Sequence, residues 1–92
     1  MRWSTLLIVP VVALTLATPA MADDNAYLRA IRSDYFARNF TDAQLLAEGH
    51  KVCDMNAKAT DEQLFSMVAS DLGVATSAAA SLVGIARGGL GC

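Results

Sequence analysis

The chain has 92 residues, 17% of them charged, with 7 Lys+Arg against 9 Asp+Glu and a formal net charge of −2. That balance carries no basic stripe, so it argues against a nucleic-acid binder and against a polybasic anchor on an anionic membrane. A chain this short makes one domain, and it has one histidine, two cysteines and two prolines to work with.

The first segment reads MRWSTLLIVPVVALTLATPAMA. Arg2 is a positive start, 6–17 is an apolar run, and Ala20-Met21-Ala22 is a small-x-small cleavage pattern. Those three parts predict a secretory signal peptide over 1–22, removed after Ala22. The apolar run is shorter than the ~20 residues that cross a bilayer, so no stable membrane anchor is expected after cleavage. Losing Arg2 drops Lys+Arg from 7 to 6 against 9 Asp+Glu, and the remaining domain, 23–92, has a formal net charge of −3.

No proline follows Pro19, which leaves helices free to run. The stretch DDNAYLRAIRSDYFARNF predicts a first helix over 24–37. Leu28, Ile31 and Tyr35 lie on one face, bordered by Tyr27, Ala30 and Phe36. Thr41-x-x-Gln44 is a capping-box pattern that starts a second helix, with a stripe of Leu45, Leu46, Gly49, Val52, Cys53 and Asn56. Gly49 in mid-helix costs about 1 kcal/mol against alanine, so a neighbouring helix is expected to approach closely there. Thr60-x-x-Gln63 repeats the capping box for a third helix, with Leu64, Phe65, Val68, Ala69 and Leu72 as its buried face and Gly73 as its C-terminal cap. Thr76 or Ser77 is expected to cap a fourth helix. Its stripe is Ala79, Leu82, Val83 and Ala86, and Gly88, Gly89 and Gly91 are expected to end it. No segment alternates as a strand does. The expected core is Leu45, Leu46, Val52, Leu64, Phe65, Val68, Leu72, Leu82 and Val83.

Small domains bury little core and often need a staple. Cys53 and Cys92 are expected to supply it as an intramolecular disulfide, since exported chains meet oxidising conditions. The bond would close a loop of about 40 residues, worth about 4 kcal/mol in the chain-entropy model. An intermolecular bridge or two free thiols are the alternatives that composition leaves open.

The order DDNAYLRAIR, FTDAQLLAEGHKVCDM, ATDEQLFSMVASDLGVAT and a final alanine-rich helix ending in cysteine resembles the DUF732 family of small exported proteins from mycobacteria and related actinobacteria. The marker within it is Gly49-His50 with Cys53, similar to the family's central GH-x-x-C element. The resemblance covers nearly all of 23–92 and implies a small helical domain with a Cys53–Cys92 bond. It supplies no catalytic residues. Asn39-Phe40 stands where members often carry a glycine, and Cys92 where they often continue into Cys-Pro.

EGHKVC, Glu48 to Cys53, holds the only histidine and one of the two cysteines, beside a carboxylate and a lysine. His50 can be a base, a metal ligand or a haem ligand. A metal site needs several converging ligands. Glu48, Cys53 and Asp54 are the nearest in sequence, and a disulfide would remove the Cys53 thiolate. His50 is therefore expected at the edge of the buried stripe, giving a ring N–H to a carbonyl of a neighbouring segment. A haem site would draw on Tyr27, Tyr35 and His50, but both tyrosines are expected to pack on the first helix with their hydroxyls at the rim. The five serines of the domain lie in no G-x-S-x-G elbow. Its carboxylates are expected at helix starts or, as with Asp34 and Asp71, on solvated faces. Phe36, Phe40 and Met67 are candidates for an exposed partner surface, although Phe36 and Phe40 are expected instead to close the core between the first two helices.

Together these readings predict an all-α bundle of about four short helices, stapled by Cys53 and Cys92. The expected role is a non-enzymatic, monomeric, secreted or envelope-associated binding protein without a cofactor, acting on an unidentified protein partner and not on nucleic acid. A secreted haem or metal carrier using His50 and Tyr35 is the alternative, and a small hydrolase a remote one.

Overall fold

The computed structural model describes residues 23–92, and the expected signal peptide over 1–22 lies outside the described residues. Four α-helices make up the described chain: α1 over 23–31, α2 (Asp42–Met55), α3 (Asp61–Leu72) and α4 (Thr76–Leu90), with a 3-10 turn, Tyr35–Asn39, between the first two. No strand occurs among the described residues.

Local chemistry starts two of these helices. Thr41 accepts from the Gln44 backbone N–H at 3.1 Å, and the Gln44 side chain accepts from the Thr41 N–H at 2.8 Å. Thr60 and Gln63 repeat the exchange at 3.2 and 2.9 Å. Each box satisfies two N–H groups that a helix start otherwise leaves unpaired. Gly73 stops α3 at φ +68°, in the left-handed region that glycine enters without a Cβ penalty. The chain then turns by 111° into α4. That helix packs against both α2 and α3. No single described helix is long and apolar enough to cross a membrane.

The first helix is shorter than its apolar periodicity predicts. Asp34 is extended, at φ −84° and ψ 137°, and breaks the run. Ser33 turns its hydroxyl back onto the Ala30 carbonyl at 2.7 Å. Arg32 spans the break, donating from Nη1 to the Ala37 carbonyl at 2.7 Å and from Nε to Asp42 at 3.0 Å. Breaking the helix lets the 3-10 turn fold back and bury Ala37 completely. It also rotates Tyr35 off the apolar face, leaving it 78% exposed.

The other end differs too. Ala75, not Thr76 or Ser77, is the N-cap of α4, without a side-chain bond. Gly88 and Gly89 are helical, and only Gly91, at φ +79°, ends the helix. The buried core is Tyr27, Ile31, Ala37, Leu45, Val52, Leu64, Val68, Ala79, Leu82, Val83 and Ala86. Leu46, Phe65 and Leu72, expected inside, are only partly buried at its edge. Their places are taken by Tyr27 and Ile31 from α1 and by small alanines that let helices approach.

Candidate functional site

Gly49, His50, Lys51 and Cys53 of EGHKVC each engage a residue elsewhere in the fold. Gly49 faces α1. A Cβ at this position would lie 2.7 Å from Tyr27 Cζ and 2.9 Å from its hydroxyl oxygen, so the bare glycine is the seat on which the ring rests. Tyr27 is fully buried, and its hydroxyl donates to the Leu45 carbonyl at 2.6 Å. The expected close approach at Gly49 is therefore made by a tyrosine ring. That hydroxyl is inside the bundle and not at its rim. Burial and the neighbouring Glu48 charge both push the Tyr27 phenol well above its ordinary range.

His50 reaches α1 as well, but on the outside. Its side chain is about half exposed, and Nε2–H donates to Asp24 Oδ1 at 2.9 Å. A carboxylate 26 residues away takes the place of the expected backbone carbonyl. Lys51 points towards α3 and donates to Asp71 at 2.6 Å. Asp71 is exposed, as expected, and is also half of an ion pair. The Lys51 ammonium holds its carboxyl below the ordinary value, with a contribution from Glu48, and the Lys51 pKa rises in return through the same bond.

Glu48 is the residue that sequence reasoning misses. It is the only charged side chain buried among the described residues, at 7% exposure. Its Oε2 is sealed from solvent, and no donor of the described residues reaches it. Burial raises its carboxyl to about 7, helped by the adjacent Asp71 carboxylate and opposed by Lys51. An acid at mid-helix ordinarily marks the wet face. The only available clue is the i, i+4 spacing of Glu48 with Val52, which extends the buried stripe one turn back.

The end of the segment is tied down covalently. Cys53 and Cys92 are bonded, with an S–S distance of 2.11 Å and a sequence separation of 39. Asn56, one turn further on, donates from Nδ2 to the Cys92 carbonyl at 3.0 Å and accepts from Arg87 Nε at 2.8 Å. Arg87 also donates from Nη2 to Asp61 at 2.7 Å, so α4 is held to the α2–α3 corner by charge beside the disulfide.

The other candidates fall outside this cluster. Tyr35 is on the exposed 3-10 turn with the Arg38 guanidinium 4.9 Å from its ring centre. Phe36 and Phe40 pack edge-to-face at 6.4 Å against the core, partly buried, and Met67 is partly buried too. Among the described residues, no three His, Cys, Asp or Glu side chains converge as metal ligands do. His50 with Asp24 makes a pair without a third member, and the Tyr27 hydroxyl is already committed. What the segment does is assemble the bundle. In six positions it grips α1 twice, α3 once and the tail of α4 once.

No curated protein and no solved structure matches this chain. A family model described as "Protein of unknown function (DUF732)" matches residues 23–91, and with three quarters of its length matched the chain belongs to that family.

Proposed function

We propose that this chain is an exported, non-enzymatic binding protein that works through its outer surface in the cell envelope or the medium. The observation that carries this reading is the use of EGHKVC: Gly49, His50, Lys51 and Cys53 are all engaged in holding helices together. Chemistry on a substrate needs a nucleophile or base with a free face and a place for the reacting atom. The disulfide supports an extracytoplasmic location, because such bonds persist in oxidising compartments. The signal-like segment over 1–22 points the same way. The surface residue to examine first is Tyr35, because an exposed aromatic beside an arginine has the composition of interface anchors.

Native mass spectrometry of the protein exported by an actinobacterial host tests the reading. A bare chain starting at Asp23, two hydrogens lighter than the reduced mass, is the expected result. Co-purifying haem or metal that is lost on replacing His50 would overturn it, and so would turnover of a substrate. Retention of the 1–22 segment would overturn the exported location alone.

A further inference from the structure

Glu48 lies where α1, α2 and α3 meet, and none of the donors around it reaches its Oε2. The Tyr27 hydroxyl from α1 has one proton, and it goes to the Leu45 carbonyl. Lys51, one turn along α2, donates to Asp71 of α3. His50 is turned outward to Asp24, and the only charged side chain of α4, Arg87, serves Asn56 and Asp61. An ionised Glu48 therefore has a sealed oxygen with nothing to accept from, beside a second carboxylate. Burying an unsatisfied charge is among the costliest arrangements in a small protein. A neutral carboxyl reverses the situation, because it carries its own O–H and Asp71 beside it is an acceptor.

We propose that Glu48 is a proton-operated latch: with its carboxyl protonated it donates to Asp71 and closes the seam between α2 and α3 beneath Tyr27, and when it gives that proton to solvent the seam loosens. The sign follows from linkage. The Glu48 carboxyl holds its proton more tightly in the folded chain, at about 7 against an ordinary 4.5. The folded state is then favoured below the ordinary value, and that advantage is lost as pH rises through about 7. Above that value the loss is complete. The Lys51–Asp71 pair remains ionised throughout the same range, since its two shifts both strengthen the charged forms.

Thermal unfolding of the exported protein and its Glu48→Gln variant, disulfide intact, from pH 4.5 to about 8.5 tests the latch. The wild-type Tm is expected to fall relative to the variant by at least ~5 °C across that range, with most of the change complete by pH 7.5 or so. Protection factors of α2 and α3 amides, taken against the intrinsic exchange rate at each pH, should fall above neutral pH in the wild type only. Parallel Tm curves would overturn the proposal. If the variant does not fold, the carboxyl-carbon NMR titration of Glu48 in the unaltered protein decides. A midpoint near neutrality supports the latch, and one near the ordinary glutamate value overturns it.

Discussion

The two halves of α2 hold their neighbours by different physics. The half around Glu48–Lys51 uses a ring seated on a glycine, a buried acid and two side-chain pairs. The half around Cys53–Asn56 uses a covalent bond backed by an asparagine and an arginine. The first arrangement depends on close packing and on protonation. The second constrains the unfolded chain as much as it joins the folded one. A small domain with limited core thus combines a seam that answers to pH with one that answers to redox conditions instead.

The comparison is broken most severely at Tyr27. Tyr27→Ala removes a fully buried aromatic and is expected to cost about 3–5 kcal/mol. Chemical denaturation measures the loss, and hydrogen exchange should show protection vanishing first over 23–31. Close behind is the joint replacement Cys53→Ala, Cys92→Ala, at about 2–5 kcal/mol. Here exchange should rise first at the end of α4 while α1 stays protected, and an unchanged denaturation midpoint would remove the disulfide from the account. Gly89→Ala sharpens the contrast from the other side. A Cβ at Gly89 would lie 2.7 Å from the Tyr27 Cα, a backbone atom that cannot turn aside. Overpacking of this kind costs about 1–3 kcal/mol, and the test is whether α1 loosens although the change is made in α4. The smallest effect belongs to Arg87→Met, about 1 kcal/mol for its partly exposed hydrogen bonds. Its Tm deficit should be larger in the cysteine-free chain than in the oxidised one.

What could be read in advance was mostly local. The boxes Thr41/Gln44 and Thr60/Gln63 start helices by contacts three residues apart, and both form. The stripe Ala79, Leu82, Val83 and Ala86 follows helical periodicity and is wholly buried. Gly49 implied a close neighbour from its propensity cost, without saying which. Periodicity failed where a distant partner decided the outcome. Leu28, Ile31 and Tyr35 share a helical face only if the helix continues, and the bridge from Arg32 to Asp42 and Ala37 ends it early. Glu48 read as polar because its burial depends on Tyr27 and Asp71, which are 21 and 23 residues away. Gly88 and Gly89 looked like a terminus, yet one of them is the flat surface against which α1 lies. Of the candidate site, the segment itself was legible. Its role as a junction was not, since each grip closes on a residue elsewhere in the chain.

Tyr27 meets Gly49 with its ring and Gly89 with its backbone. The two seats stand side by side only once α2 and α4 have packed together, because the two glycines are 40 positions apart in the chain. The N-terminal helix is therefore expected to dock last on refolding and to leave first on unfolding. Changes at Tyr27 should appear mainly in the unfolding limb of a chevron, with little effect on the rate at which the other three helices collapse. On that expectation, the lifetime of the folded molecule depends on how long one tyrosine stays between two glycines.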